Sequence, residues 1–387
     1  MPPTHVSGLS CENRNLVPSL DTMRQEQIAR RVADSIPATL TQAQVAAQIG
    51  LTDEKISKCL RGRRAFSSVE LAQLAEALNV DVHWLITGRA DPNRLVAVVR
   101  HNFDRETGRW DVPGHDSDEP VINDIALVYR QALPAWSPVG NALPDTVIEV
   151  RSALGPDFVR RMADRFESHL DVDVIRTAEV SMASSFHVGP RKVIVLQATG
   201  NWFRETWSLA HELGHLVAGH HADDRTPAER DHHEFVANHF AAELLLPEAE
   251  LREIAWPTLT ERELAELIWE WGVSTDALSG RLETLGVTVS ETVGKALQLS
   301  TQKLLRWHWA GQHDHGLDQI TMRMDEAATR RFPRKLKEVH TELIAAGTIN
   351  KRTLAWMLGI DPNALEVDEP PQPEPLDGYQ LAAALGL

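Results

Sequence analysis

The sequence predicts a mainly α-helical, multidomain protein. An all-α domain of short helices comes first, an α+β domain with a small sheet follows, and the C-terminal region is helical. Three observations support this order. The 387 residues are 43% hydrophobic, which is enough for two or three packed cores. Strand-like stretches occur only between about 172 and 197, and most other segments have helical periodicity.

The first folded segment, residues 21–100, reads as a bundle of short helices after a disordered tail at 1–20. Thr41, Thr52 and Ser68 each stand where a hydroxyl can accept a hydrogen bond from the first turn of a helix. The expected helices are 41–49, 52–60, 68–78 and 82–86.

The remaining chain divides into four further segments. A linker with one helix covers 101–145, and its polar part is 104–120. The α+β domain covers 146–290, a helical region follows at 291–365, and 366–387 is an acidic, proline-rich tail.

The α+β domain is expected to place two long helices after its strands. Strands are predicted at 172–176, 184–188 and 192–197 because these stretches alternate or run apolar. Asn201 can cap the first long helix. Pro227 opens the second helix and Pro247 ends it.

Charge and composition exclude several classes of protein. The net charge is −16, yet residues 1–100 carry 12 basic and 10 acidic side chains, so the acidity lies in the rest of the chain. No run approaches the ~18 apolar residues of a membrane helix, and the N-terminus does not resemble a signal peptide. The two cysteines, Cys11 and Cys59, are expected to be unpaired, which is typical of a cytoplasmic protein. No membrane partner is therefore expected.

The most informative motif is His211-Glu212-Leu213-Gly214-His215, an HExxH pattern. Two histidines four apart on a helix can bind one metal ion, and the glutamate between them can act on a metal-bound water as general base. Chance alone gives this pattern in roughly one such histidine-rich chain in twenty. The buried strand before it and the amphipathic helix that carries it favour a zincin-like metallopeptidase domain with a catalytic Zn²⁺.

A catalytic zinc needs a third protein ligand, and three side chains are candidates. His221 has nearly a metzincin spacing, but Ala218 stands where that pattern needs glycine. Glu234 lies on the next long helix and is favoured, with Asn238 one turn later on the same face as an outer-sphere partner. Glu243 is the third candidate. The nearby histidines are predicted to be solvated or on the surface: His220, His232, His233 and His239.

This region resembles the ImmA/IrrE metallopeptidases. In that family HExxH is followed by a glutamate, an Asn or Asp, and a small-residue run that ends in Leu-Leu-x-Pro, as in Glu234 to Pro247 here. The resemblance covers about 150–290, with a weaker helical similarity to about 365. It implies zinc bound by His211, His215 and Glu234, Glu212 as general base, and substrates that are often lambda-repressor-like repressors.

The segment from Thr41 to Lys58 has helix-turn-helix form, with Ala46, Gly50 and Ile56 at its small, turn and core positions. Together with Val80 to Gly88 it resembles lambda-repressor-like (Xre) domains over about 22–90. The resemblance implies that Gln42 contacts a phosphate. It also implies that the recognition helix turns four side chains towards the bases: Thr52, Asp53, Glu54 and Lys58.

Basic side chains around this helix are candidates for phosphate contacts, because the stretch from Lys55 to Arg64 contains five basic residues and no acidic one. The predicted contacts are Lys55, Arg61, Arg63 and Arg64. One such module reads a half-site, so a homodimer on a double-stranded DNA operator is expected. A helical domain that binds only protein is the alternative.

Three functional hypotheses follow. The first is a transcriptional regulator with a zinc endopeptidase domain that cleaves an Xre-type repressor or its own DNA-binding head through the 104–120 linker. The second is a regulator without catalytic activity, whose metallopeptidase-like domain senses a ligand or metal. The third is an antitoxin or phage-defence component whose helical C-terminal region binds a partner.

Overall fold

The computed structural model describes residues 20–37, 39–78, 80–89, 97–99, 102–104, 109–111, 115–136, 142–220 and 227–371. The chain forms two compact units, which divide between Arg94 and Leu95. Almost all of the predicted tail at 1–20, and the predicted tail at 366–387 beyond residue 371, lie outside the described residues. No helix of the described ranges is both long enough and apolar enough to cross a membrane.

The first unit consists of five helices around a small apolar core. Their first turns are closed as the sequence predicts, by Thr41 in a capping box with Gln44 and by Thr52. The fourth helix is capped by Ser67 rather than by Ser68, because the Ser67 hydroxyl accepts from the backbone of Glu70. The helices are α1 (Leu20–Ser35), α2 (Gln42–Gln48), α3 (Asp53–Leu60), α4 (Ser68–Ala77) and α5 (Val82–Thr87).

The second unit is built on a four-stranded sheet of order β1-β5-β6-β4. β4 and β6 are parallel, whereas β5 is antiparallel to both of its neighbours. The register places Ser185 of β5 between Ile194 of β6 and Val98 of β1. The strands are β1 (Ala97–Val99), β4 (Val172–Thr177), β5 (Ser184–Val188) and β6 (Arg191–Gln197), and the short pairs outside this sheet are β2 (Asn102–Asp104) with β3 (Arg109–Asp111) and β7 (His313–Asp314) with β8 (Leu317–Asp318).

Helices cover both faces of this sheet. Alternate residues of β6 belong to different apolar clusters: Ile194 and Leu196 pack with the long helices that follow, and Val193 and Val195 pack on the opposite face. The helices are α6 (His115–Ala132), α7 (Val147–Leu154), α8 (Met162–Arg165), α9 (Trp202–Val217), α10 (Pro227–Leu245), α11 (Glu248–Glu253), α12 (Glu261–Trp271), α13 (Thr275–Thr284), α14 (Glu291–Leu297), α15 (Thr301–His308), α16 (Gln319–Ala328), α17 (Arg334–Ala345) and α18 (Arg352–Leu358).

Two expectations differ from the structure. The segment predicted as a polar linker at 104–120 contains β3 and the first turns of α6. The segment before β4, where helical periodicity predicts one helix to about residue 169, is broken into α7, a 3-10 turn at Phe158–Arg161, α8 and a π turn at Phe166–Leu170. Gly155 and Asp157 have positive φ, so the chain turns between α7 and the 3-10 helix.

Candidate metal centre and DNA-facing helix

Helix α9 holds the HExxH residues in the interior of the second unit. Asn201 caps the helix by accepting a hydrogen bond from the Arg204 amide at 3.1 Å, as the sequence predicts. One face of α9 packs into the core through Leu209, Leu213 and Leu216. His211, Glu212 and His215 are each fully buried.

The two histidines of α9 and Glu234 of α10 converge on one point. The Nε2 atoms of His211 and His215 are 3.1 Å apart. Glu234 places its carboxylate oxygens 3.2 Å from the first of these nitrogens and 3.4 Å from the second. Ligand atoms about 2.0–2.1 Å from a tetrahedral zinc lie about 3.3–3.4 Å from one another, so this donor set fits a zinc ion.

The charge state of Glu234 also suits a cation. Burial raises the pKa of this carboxyl. Hydrogen bonds with His211 and His215 lower it by a larger amount, so the pKa of Glu234 lies well below its ordinary value. The side chain is therefore an ionised carboxylate although it is only 3% exposed. A buried anion between two imidazoles is the environment that binds a divalent metal ion.

Close packing of α9 on α10 brings these donors together. Gly214 lies within the motif, where a Cβ atom would stand 3.1 Å from the Phe240 Cβ and 3.2 Å from the Ala237 Cα. Only glycine leaves room for α10 at this distance. The HExxH glycine is therefore part of the geometry that places Glu234.

Each histidine of the group also has a partner at its second ring nitrogen. Asn238 Oδ1 lies 3.2 Å from His211 Nδ1, as expected for an outer-sphere partner that fixes the ring and its tautomer. His215 Nδ1 lies 3.0 Å from His220 Nδ1. Both rings therefore turn Nε2 towards Glu234.

The prediction that His220 and His233 are solvated is wrong for the first and only partly right for the second. His220 is 8% exposed and stacks on the half-buried His233 ring, with 3.7 Å between the ring centroids. Gly219 has φ +68° and turns the chain after α9, which brings His220 back over His215. His232 and His239 are exposed, as predicted.

Glu212 has a neighbour that sequence reasoning missed. The Ser185 hydroxyl on β5 donates a 2.8 Å hydrogen bond to Glu212 Oε2, and both side chains are fully buried. A serine within a strand gives no sequence signal of its own. Only the packing of α9 on the sheet shows which residue faces the glutamate.

Of the other two candidates for a third ligand, Glu243 does not join this group. Glu243 forms an ion pair with Arg281, which links α10 to α13. His221 lies outside the described residues. Among the residues that the structure describes, His211, His215 and Glu234 form the one group of donors placed to hold a metal ion.

In the first unit, α3, the start of α2 and the turn after α3 expose most of the side chains predicted to contact DNA. Eight of the predicted contacts are exposed: Gln42, Thr52, Asp53, Glu54, Lys55, Lys58, Arg61 and Arg63. Glu54 and Lys58 form an exposed ion pair at 2.7 Å along one face of α3. Such a surface pair is worth little, so Lys58 can exchange it for a phosphate.

Arg64, one of the predicted phosphate contacts, also binds an acid within the first unit. Its guanidinium donates to both oxygens of Glu70 at 2.8 and 2.9 Å and also contacts Cys59 Sγ. The hydrogen bonds with Arg64 lower the pKa of Glu70, whose carboxylate also accepts from the Ser67 amide. Arg64 therefore helps to fix the start of α4 through these hydrogen bonds, and its contact with DNA stays a prediction.

Comparison with protein families gives two matches. Residues 167–283 match the peptidase M78 model, which is described as an IrrE N-terminal-like domain. Residues 22–85 match a model described as a helix-turn-helix domain. No curated protein and no solved structure matches the chain. Both predicted resemblances and their order are confirmed: a match to a helix-turn-helix domain is followed by a match to an IrrE N-terminal-like peptidase domain.

Proposed function

We propose that this protein is a DNA-binding transcriptional regulator with a zinc-dependent endopeptidase domain. The observation that carries the proposal is the convergence of His211, His215 and Glu234 at 3.1–3.4 Å beside the buried carboxylate of Glu212. A domain that served only to bind DNA would not need a buried ionised carboxylate among imidazoles.

His211, His215 and Glu234 would hold the metal, with Asn238 and His220 fixing the two rings. A bound zinc supplies a Lewis acid that polarises the scissile carbonyl and makes a water molecule easier to deprotonate. Glu212 would take a proton from the attacking water and pass one to the leaving amine. Ser185 would hold the Glu212 carboxylate in position for both transfers.

Substitution of the proposed base tests catalysis separately from metal binding. We expect Glu212→Gln to retain zinc but to lose about 10²–10⁴-fold in cleavage rate, because general base catalysis contributes about that factor. His215→Ala should lose both zinc and cleavage. The measurement is metal analysis together with cleavage of candidate Xre-type repressors. Wild-type cleavage by Glu212→Gln would show that the proposed base is wrong.

The protein substrate is either a separate repressor or the chain itself. Mixing the wild-type protein with the Glu212→Gln protein, which carries a distinguishing mass label, decides between them. Loss of the head from the inactive chain would show self-cleavage between molecules. Mass spectrometry of the products locates the cut relative to the 104–120 segment.

The first unit supports the DNA-binding half of the proposal. The exposed face of α3 and the basic side chains around it suit a double-stranded DNA operator, and a homodimer would read two half-sites. Fluorescence anisotropy with operator fragments from upstream of its own gene, at several salt concentrations, tests binding. Sedimentation of the protein with one-half-site and two-half-site fragments tests the dimer.

A further inference from the structure

A pocket on the side of α9, away from the metal centre, is lined by an unusual number of cations. Its cavity volume is about 60 Å³, and the 3-10 turn before α8, α8 itself, α9 and α16 contribute to its walls. Five arginines line it: Arg160, Arg161, Arg176, Arg323 and Arg331. Three carboxylates accompany them: Asp164, Glu205 and Glu326.

Two of the five arginines already have carboxylate partners. Arg176 binds Glu205, and it also donates to two carbonyls at the end of α16. Arg331 binds Asp164 at 2.8 Å and Glu167 at 2.6 Å. These contacts join β4, α8 and the end of α16. Arg176 and Arg331 therefore have a structural role, and their charges are balanced within the fold.

Arg323 is a buried cation of another kind. It is 8% exposed, and within the described part of the chain no carboxylate lies within ion-pair distance of it. Its one hydrogen bond there runs from Nη1 to the Trp269 carbonyl at 3.3 Å. A guanidinium has five N–H donors, so most of those of Arg323 remain available at the pocket wall.

Aromatic rings hold this guanidinium in a fixed orientation. Its Cζ lies 3.8 Å from the ring of Trp202 and 5.2 Å from that of Trp269. Arg160 places its own Cζ 4.9 Å from the same Trp269 ring. Trp309 stacks on Trp269 at 3.8 Å, so this ring contacts a second indole as well as the two guanidinium groups. A guanidinium that lies on an indole presents its N–H groups edgewise.

The guanidinium groups of Arg160 and Arg323 therefore share the Trp269 ring, with little negative charge nearby to balance them. Burial, and after it the charge of Arg160, lower the pKa of Arg323 to about 9. Glu326 is the acid that acts on both arginines through space, and in the described residues its carboxylate forms no ion pair with either. With Arg161, three arginines of the lining face Glu326, and once Glu167, the second partner of Arg331, is counted, the pocket keeps a surplus of one positive charge.

We propose that this pocket binds a small molecule through a phosphoryl group. A phosphoryl group is anionic, as the positive surplus favours, and its several oxygens can accept from the donor edges of Arg160 and Arg323 together. The lining residues Thr206 and Leu209 belong to α9, the helix of the HExxH residues. Binding here would act on the rigid helix that carries the metal centre without occupying that centre. The proposal does not depend on peptidase activity.

Isothermal titration calorimetry of the full chain with inorganic phosphate, at constant ionic strength, tests the proposal. We expect saturable binding below about 10 mM, and at least about tenfold weaker binding of the monoanion acetate. A nucleoside monophosphate that binds as tightly as phosphate, or more tightly, would identify a nucleotide as the source. A weaker one would identify free phosphate. No saturable heat, or equal affinity for acetate, would overturn the proposal.

Variants separate this pocket from the metal centre. Arg160 and Arg161 are exposed, so the double variant Arg160→Gln/Arg161→Gln should fold and should bind phosphate about tenfold more weakly. Arg262→Gln is the matched control, since Arg262 is exposed on α12 outside the pocket, and its affinity should be unchanged. Arg323→Lys keeps the charge but loses the planar fork, and should also weaken binding. Wild-type phosphate affinity in the double variant would place the ligand elsewhere and refute the proposal.

Discussion

Replacement of Gly214 by alanine should separate metal binding from folding stability. Gly214 is helical, so alanine can adopt its backbone, and helix propensity alone favours alanine by roughly 1 kcal/mol. The new Cβ would lie 3.1 Å from two atoms of Phe240 and 3.2 Å from the Ala237 Cα. Contacts between carbon atoms are optimal at about 3.5–4.0 Å, so the overlap is roughly half an ångström.

Rotation of the Phe240 side chain can move its Cδ1 away from the added methyl group, but the positions of the Phe240 Cβ and the Ala237 Cα are set by the backbone of α10. Helix α10 must therefore shift relative to α9 by a few tenths of an ångström. Overpacking of this kind costs about 1–3 kcal/mol, so the net loss of folding stability is roughly 0–2 kcal/mol. Glu234 lies three residues before Ala237 on the same face of α10 and moves with it. Metal sites tolerate only about ±0.2 Å in ligand distance, so zinc affinity should fall about tenfold or more.

The assay is zinc affinity by competition with a chromophoric chelator, next to urea unfolding of the metal-free protein. Gly280→Ala is the matched control, because Gly280 is helical in α13 and a Cβ there would meet nothing within 4 Å. That variant should gain up to about 1 kcal/mol in stability with unchanged zinc affinity. Wild-type zinc affinity in Gly214→Ala would refute the argument that close packing of the two helices sets the ligand geometry.

Three further predictions follow from the same structure. Asn238→Ala should lower zinc affinity about 10–100-fold, measured by the same competition, because His211 loses the partner of its second nitrogen. Ser185→Ala should lower kcat rather than raise KM while zinc content stays unchanged, and Ser184→Ala on the opposite face of β5 should not. Asp318 caps α16, and hydrogen bonds with Thr321 and Arg306 lower its pKa from 3.8 to about 2. The stability that it contributes is therefore present above pH 3.8 and lost as pH falls through about 2, and urea unfolding of Asp318→Asn should show a weaker dependence on pH there.

Local signals explain why much of the fold can be predicted from the sequence. Thr41, Thr52 and Asn201 close helices through hydrogen bonds to amides three residues away, so the local sequence contains both partners. The strands of the sheet show as short apolar stretches. The HExxH spacing likewise places His211 and His215 on one face of a helix whatever packs around them.

The features that escaped prediction depend on contacts between distant segments. Ser185 meets Glu212 because α9 packs across the sheet, and His220 returns to His215 because Gly219 reverses the chain. Arg64 looks like any other base near a recognition helix until α4 places Glu70 beside it. Helical periodicity also continues through Phe158–Leu170, where the chain is broken into 3-10, α and π turns.

The two sites argued for in the second unit differ in how their charges are balanced. At the metal centre the carboxylate of Glu234 lies between two imidazoles, and a divalent cation would complete a set of donors that already has the right spacing. In the arginine-lined pocket the surplus is positive, and an anion would complete it. Helix α9 contributes to both sites. Thr206 and Leu209 line the arginine-lined pocket, and His211, Glu212 and His215 belong to the metal centre. Because a helix moves as a rigid body over this length, a shift imposed at one site is carried to the other. Phosphate and zinc titrations of the same protein should therefore show coupled affinities, and if they do, the linkage must be equal in both directions.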